Sequence, residues 1–174
     1  IDLSRLDENY LMVPTADGWK PMWPHVLDSV RVMLTVQRGV VKSPTASGKT
    51  TMIGAVARYL WEEYGWHTLI VVPKKGLLDQ NVKALRRYYK GEIEVGQCGD
   101  GKKTVGVVTV ATAQTLIGYK TRITGKRTIK GNPMLRKLVK ETEVLILDES
   151  HHASASTWYD LSMHSGARRR YGLR

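Results

Sequence analysis

Residues 43–50, Ser-Pro-Thr-Ala-Ser-Gly-Lys-Thr, constrain this chain more than any other stretch. They follow the β-branched pair Val40-Val41 and lead into residues 51–60, which have the composition of a helix. A strand, a loop of small residues that ends in Gly-Lys-Thr, and a helix form the context of a phosphate-binding P-loop. The backbone N–H groups of such a loop and the positive end of the helix dipole together bind an anion. The stretch therefore predicts a site for nucleotide phosphates.

The same loop supplies the predicted nucleotide contacts. Lys49 would place its ammonium group on the β- and γ-phosphates, and the Thr50 hydroxyl would bind Mg²⁺. Ser43 and Ala46 stand where glycine is usual, but both are small enough to keep the loop tight. The alternative, a Gly-Lys-Thr sequence in an ordinary turn, is disfavoured by the strand before it and the helix after it. The predicted nucleotide-binding residues are Pro44, Thr45, Ala46, Ser47, Gly48, Lys49, Thr50 and Thr51.

A second signal lies at residues 144–149, Val-Leu-Ile-Leu-Asp-Glu. A buried strand that ends in two acids brings both carboxylates to the carboxyl edge of a sheet, where α/β proteins bind ligands. If this strand neighbours the strand before the P-loop, Asp148 can hold Mg²⁺, and Glu149 can orient or deprotonate an attacking water. The alternative is a helix N-terminus capped by Asp148 or Ser150.

Two histidines follow the acidic pair. His151, His152 and the distant Cys98 do not have the spacing of zinc ligands, so we expect no zinc site. We expect His151 to form hydrogen bonds between the nucleotide edge and another element. His152 is expected to be a packing residue.

Apolar runs alternate with helical patterns along the chain. The predicted strands are residues 38–42, 67–72, 92–97, 105–110 and 144–148, and residues 170–174 begin a further one. The predicted helices are residues 23–36, 51–60, 77–89, 111–117, 133–140 and 154–164. This alternation favours an α/β fold with a mostly parallel sheet and helices on both faces. Residues 119–130 are strongly basic and poor in apolar side chains, which favours an exposed loop or hairpin. We expect residues 1–20 to form an extension and residues 21–174 to form one domain.

The composition narrows the class of partner. The chain of 174 residues has 27 Lys and Arg against 16 Asp and Glu, a net charge of +11. Such an excess favours a polyanionic partner such as nucleic acid, although composition alone does not exclude an indifferent basic surface. The apolar runs are too short to span a bilayer, and one cysteine fits a reducing cytoplasm, or the host cytoplasm for a viral protein. We therefore expect no membrane partner.

Taken together, these motifs resemble the first RecA-like domain of superfamily 2 helicases and translocases, the DEAD/DEAH-like group. Residues 44–50 look like motif I and residues 148–151 look like motif II, and the resemblance covers about residues 20–174. It implies a P-loop NTPase of RecA-like fold that uses ATP and Mg²⁺. The implied roles are catalysis by Glu149 and Lys49, metal binding by Thr50 and Asp148, and coupling by His151.

Two further stretches resemble family segments that line the track of a nucleic-acid strand. Residues 72–80, with Pro73 before Leu77 and Gln80, are similar to motif Ia, and residues 110–116 look like the threonine-bearing motif between Ia and II. The implied contacts are Pro73, Lys74, Thr112 and Gln114. We favour DNA over RNA as the partner, although the sequence leaves both open. A structural alternative for Thr112 is a helix N-cap, which is compatible with strand contact.

The chain departs from the family pattern in one place. No glutamine stands near Val26, where the family often has one that reads the adenine, so His25 or backbone groups would have to substitute. Residues 170–173 look like the lead-in to motif III, and we expect the chain to be part of a longer protein whose second RecA-like domain is absent here. The alternatives are a P-loop kinase for a small molecule or nucleotide, and a nucleic-acid-binding module without catalysis.

Overall fold

A computed structural model describes residues 1–42, 46–152 and 154–174, without the side chains of residues 46 and 47. The strands are β1 (Val13–Thr15), β2 (Gly18–Lys20), β3 (Arg38–Val41), β4 (Thr68–Val72), β5 (Val95–Gly99), β6 (Lys102–Lys103), β7 (Val108–Thr112), β8 (Arg122–Thr124), β9 (Arg127–Ile129), β10 (Val144–Leu147) and β11 (Arg169–Leu173). The α-helices are α1 (Pro24–Thr35), α2 (Ala46–Tyr64), α3 (Lys75–Tyr89), α4 (Ala113–Leu116), α5 (Pro133–Glu141) and α6 (Ala155–His164).

Within these described ranges, the central sheet has seven strands in the order β3-β11-β10-β4-β7-β5-β6. All neighbours in it pair in parallel except β5 and β6. The two hairpins, β1-β2 and β8-β9, form separate two-stranded sheets. The mostly parallel α/β architecture predicted from the sequence is therefore confirmed.

Helices cover both faces of the sheet because the central strands are apolar on both sides. In β4, Ile70 and Val72 belong to the core under α1, α2 and α3, whereas Leu69 and Val71 belong to the core under α4, α5 and α6. All four side chains are fully buried, as period-two alternation requires of a strand between two helical layers. Strand β10 has the same arrangement.

The strand order differs from one expectation. Strand β10 does not neighbour β3, because β11 lies between them and pairs with both. Lys49, in the first turn of α2, still meets Glu149, just after β10, since all three strands run in parallel and present their carboxyl ends at the same edge. Strand β3 is at the end of the sheet, and three of its four residues are exposed.

Strands β5 and β7 begin about three residues later than predicted. The segment between them crosses β5 so closely that a Cβ on Gly96 would lie 2.5 Å from the Thr104 carbonyl oxygen. A Cβ on Gly106 would lie at the same distance from the Glu94 carbonyl oxygen. Residues 105–107 therefore belong to this crossing and not to the strand.

Residues 1–20 pack against α2. Leu6 and Leu11 are buried in the core on that side, and Arg5 pairs with Glu62 and Glu63.

Within the described ranges, no helix has the length and apolar character needed to cross a membrane.

Candidate active site

The candidate site lies at the carboxyl edge of the parallel sheet. Strand β3 leads towards α2, whose first turn contains Gly48 and Lys49, and β10 ends directly before Asp148 and Glu149. Pro44 and Thr45 lie outside the described residues, as do the side chains of Ala46 and Ser47. The structure therefore locates half of the predicted nucleotide contacts in full, Gly48 to Thr51, and all four are buried.

Lys49 and Glu149 meet although they are 100 residues apart in the chain. The Lys49 Nζ donates to Glu149 Oε1 at 2.7 Å, and only 10% of the lysine side chain is exposed. This hydrogen bond lowers the pKa of Glu149 below its ordinary value. A phosphate group that binds Lys49 would compete with the carboxylate for the same ammonium group.

The backbone of Glu149 holds its carboxylate in an uncommon conformation. Its φ is +52°, in the left-handed region that non-glycine residues rarely adopt. The Asp148 carboxylate accepts a hydrogen bond from the Glu149 N–H at 3.0 Å, which helps to stabilise this turn. Backbone strain of this kind occurs at functional sites, and here it directs the carboxylate to Lys49.

Asn81, on α3, joins the two halves of the site. Its Oδ1 accepts from the Thr50 hydroxyl at 3.3 Å, and its Nδ2 donates to Asp148 Oδ2 at 3.2 Å and to the Leu77 carbonyl oxygen at 2.9 Å. All three side chains, Thr50, Asn81 and Asp148, are buried. Burial raises the pKa of Asp148, and the hydrogen bond from Asn81 opposes this shift.

Asn81 is not among the site residues predicted from the sequence. The buried side of α3 consists of Leu78, Asn81, Val82, Leu85 and Tyr89, so one amide interrupts an apolar helical stripe. A polar residue at such a position requires a buried partner, and that was the available signal. Its partners, 31 and 67 residues away, are visible only in the structure.

We expect Asn81→Ala to lower the free energy of unfolding by about 2 kcal/mol, because Thr50 and Asp148 would lose a buried hydrogen-bond partner. Gln80→Ala is the matched control, since Gln80 is the preceding residue on α3 and is exposed. Its effect should stay within about 0.5 kcal/mol. Urea unfolding of both variants tests this difference, and equal stabilities would contradict the bridging role.

The two histidines lie on the exposed side of the site. His151 Nε2 is 3.3 Å from Glu149 Oε2, so His151 contacts the acidic pair. Its role between the nucleotide edge and another element stays a prediction. The expectation that His152 packs in the interior is wrong. His152 is exposed, and its ring lies 4.0 Å from the ring of His151, between centroids.

The alternative interpretation of Asp148 and Ser150 as α-helix caps is not what the structure shows. A short 3₁₀ turn, Ser150–His152, follows the acidic pair, and α6 begins only at Ala155. The cap of α6 is Ser154, whose hydroxyl accepts from the Thr157 N–H. The Asp148 carboxylate is therefore available to Asn81 and to the site.

The predicted nucleic-acid contacts lie at the ends of the next two strands, β4 and β7. Pro73 and Lys74 follow β4, and Lys74 is exposed. Thr112 ends β7 and caps α4, since its hydroxyl oxygen accepts from the Thr115 N–H, so the structural alternative for Thr112 is correct. Gln114 is exposed on α4. Pro73 also lines a cavity of about 250 Å³ with Asp148 and Glu149, so the two sets of residues adjoin.

A second cavity adjoins the start of α2. It has a volume of about 270 Å³ and is lined by Val13, Pro14, Trp23 and Val26 together with Gly48 and Thr51. The Thr51 hydroxyl lies 3.2 Å from the Tyr88 hydroxyl. His25 is not among the residues that line this cavity.

A parallel α/β sheet that brings these two motifs to one edge defines the first RecA-like domain of superfamily 2 helicases, their ATP-binding motor domain. The chain belongs to the family described as the type III restriction enzyme, res subunit, whose model matches residues 22–173. This match does not favour the kinase alternative. No curated protein matches the chain.

Solved helicase structures have the same fold. The UvsW helicase of bacteriophage T4 matches 99% of this chain and 60% of its own, with a TM-score of 0.78 and 21% identity. A second T4 UvsW structure has a TM-score of 0.77 and 21% identity. The match covers 99% of the present chain but only 34% of that structure's chain. The Sulfolobus solfataricus SWI2/SNF2 ATPase core, solved in complex with dsDNA, has a TM-score of 0.67 at 12% identity, with 99% of this chain and 34% of its own covered. The present chain therefore spans less than two thirds of the length of each of these relatives.

Proposed function

We propose that this chain binds ATP with Mg²⁺ at the carboxyl edge of its sheet, as the motor domain of a nucleic-acid-dependent ATPase. In the full-length protein, hydrolysis would be coupled to movement on nucleic acid, with DNA rather than RNA as the track. The observation that carries the proposal is the 2.7 Å contact between Lys49 and Glu149. This contact joins the lysine of a phosphate-binding sequence to one of the two acidic residues that follow β10.

The side chains that would hold magnesium fit a hard cation. Thr50 and Asp148 offer a hydroxyl and a carboxylate oxygen, and both are hydrogen-bonded to the same Asn81 amide. Oxygen ligands of this kind suit Mg²⁺. When bound, the ion would offset the negative charge of the phosphates. Asn81 would keep the two oxygens in place.

Glu149 is proposed as the general base. A glutamate side chain with its ordinary pKa is already ionised at neutral pH, so the Glu149 carboxylate can accept a proton from an attacking water. Lys49 would leave Glu149 for the β- and γ-phosphates, which frees the carboxylate at the point where the water must be oriented. His151, 3.3 Å from the other carboxylate oxygen, would couple this change to the neighbouring surface.

The nucleobase would occupy the cavity beside Gly48 and Thr51. Trp23, Val26 and Pro14 offer apolar contact there. Among its described lining residues, no side-chain amide is available, so base selectivity would depend on backbone groups and packing.

The nucleic-acid strand would pass over Pro73, Lys74, Thr112 and Gln114, at the ends of β4 and β7. Contact would be mainly with phosphates, so affinity should fall as salt rises. A second RecA-like domain would complete the track and the site. The isolated chain is therefore expected to hydrolyse ATP slowly and not to unwind a duplex. A cytoplasmic location, or the host cytoplasm for a viral protein, stays a prediction.

The test is ATP hydrolysis by the full-length protein with single-stranded DNA, duplex DNA and RNA compared side by side. We expect ATP hydrolysis that increases when DNA is added, with a smaller increase for RNA. A rate of ATP hydrolysis that stays the same with all three polymers would contradict the proposal, and so would phosphoryl transfer to a small acceptor.

A further inference from the structure

We infer that the β8-β9 hairpin is a nucleic-acid-binding arm that extends the strand track beyond Gln114. This inference rests on the proposed function, since it adds contacts to the same track. The β8-β9 hairpin comprises residues 121–130 here, and every one of these residues is exposed. Its charged side chains are Arg122, Lys126, Arg127 and Lys130, with no acidic residue among them.

The four cations have no acidic partner. Among the described residues, no carboxylate lies within 4.0 Å of Arg122, Lys126, Arg127 or Lys130. Lys120, just before the hairpin, differs because it pairs with Asp160 on α6. The charge at the base of the hairpin is thus balanced, whereas the charge along its strands is not.

The β8-β9 hairpin brings two of these cations together on one face. The strand register pairs Arg122 with Ile129 and Thr124 with Arg127, so period-two alternation puts both arginines on one face as diagonal neighbours. Diagonal neighbours are still within reach of long side chains, so the two like charges repel each other, and a two-stranded hairpin is only marginally stable by itself. A polyanion bound to that face would remove the repulsion.

The hairpin is nevertheless held firmly at its base. The Gly131 N–H and the Arg136 guanidinium both donate to the Thr121 hydroxyl at 3.2 Å. The Asn132 N–H donates to the Gly118 carbonyl oxygen at 2.8 Å. A Cβ on Gly131 would lie only 2.2 Å from the Tyr119 carbonyl oxygen, so the two ends of the hairpin leave the domain in close contact. The direction of the hairpin is therefore fixed by the fold.

That direction joins the hairpin to the proposed track. A groove of about 690 Å³ is lined by Gln114 and Thr115 from α4, by Lys103 from β6, and by Arg122 and Lys130 from the hairpin. The Thr115 hydroxyl is 2.9 Å from the Thr112 hydroxyl, which links the groove to the end of β7. Among the described residues that line the groove, none has an acidic side chain. A strand that reaches Gln114 would thus enter a groove with cations on both walls.

The partner that fits this surface is the phosphate backbone of a nucleic acid. Guanidinium groups match phosphate oxygens in a two-pronged geometry, and lysines add point charges. Such contacts are independent of base sequence. We therefore expect the β8-β9 hairpin to contribute affinity and salt dependence, and not sequence specificity.

The test compares two double variants that remove the same charge. Arg122→Gln/Arg127→Gln neutralises the hairpin face, and Lys83→Gln/Arg87→Gln neutralises two exposed residues of α3, on the other face of the sheet. Fluorescence anisotropy with a labelled single-stranded oligonucleotide measures affinity between about 50 and 200 mM salt. The hairpin variant should bind about 10- to 30-fold more weakly at about 0.1 M salt, and its slope against log salt should be about 1.4 units shallower. The α3 variant should bind like the wild type.

Other outcomes overturn the inference. Equal weakening of both variants would mean that net charge alone acts, and wild-type affinity in the hairpin variant would mean that the hairpin makes no contact. Loss of binding to polyglutamate but not to the oligonucleotide would assign the surface to an acidic protein. A wild-type chain that binds no oligonucleotide would contradict the proposed function itself, and the inference would fall with it. Matching thermal melts of the variants exclude misfolding.

Discussion

Replacing Lys49 with alanine should weaken ATP binding about 100-fold. The ammonium group would make charge-assisted hydrogen bonds to the β- and γ-phosphates, and two such bonds are worth about 3 kcal/mol together, or about two factors of ten in the dissociation constant. Lys49 is buried at the start of α2, so solvent cannot replace it. Titration of a fluorescent ATP analogue with the Lys49→Ala chain measures the effect.

The matched control for this loss of charge is Lys42→Ala. Lys42 is exposed and lies just before the P-loop sequence. The Lys42→Ala substitution therefore changes the net charge by the same amount as Lys49→Ala, but it removes no buried contact. We expect its ATP affinity to equal that of the wild type. Unchanged affinity in the Lys49→Ala variant would remove the basis for a phosphate site here.

Replacing Glu149 with glutamine should separate binding from hydrolysis. A general base contributes about 10²- to 10⁴-fold to the rate, so hydrolysis by the full-length protein should fall by that factor. Binding should be retained or become a few-fold tighter, because Lys49 would no longer be held by a full negative charge at 2.7 Å. Single-turnover hydrolysis and nucleotide titration, made on the same variant, measure the two effects independently.

Glu141→Gln is the control for Glu149→Gln. Glu141 is exposed at the end of α5, directly before the segment that leads into β10, and it has no ion pair with a described residue. Its hydrolysis rate should match that of the wild type. If Glu149→Gln hydrolysed ATP at the wild-type rate, another residue would have to act as the base.

The sequence predicted those parts of the site that depend on local pattern. The strand, small-residue loop and helix around Lys49 form one continuous stretch, and so do the apolar run and acidic pair at residues 144–149. Residues 119–130 combine charge with a lack of apolar residues, which predicted an exposed loop or hairpin but did not decide between the two. In each case the information lies within about ten neighbouring residues.

The sequence did not predict features that depend on distant partners. The insertion of β11 between β3 and β10 is a matter of strand order, which no local pattern specifies. The late start of β7 follows from the backbone crossing at Gly96 and Gly106, visible only once β5 is in place. The role of Asn81 depends on Thr50 and Asp148, which reach it from two other elements.

We propose that Lys49, Thr50, Asp148 and Glu149 converge on one metal–nucleotide complex. A crystal structure of the chain with ADP, and with Mn²⁺ in place of Mg²⁺, tests this convergence most directly. Anomalous diffraction locates the manganese independently of any model. We expect the manganese beside Thr50 and Asp148, with the β-phosphate on Lys49 and the ion pair to Glu149 broken. Manganese and phosphates bound away from these four residues, with Lys49 still paired to Glu149, would contradict the proposed site.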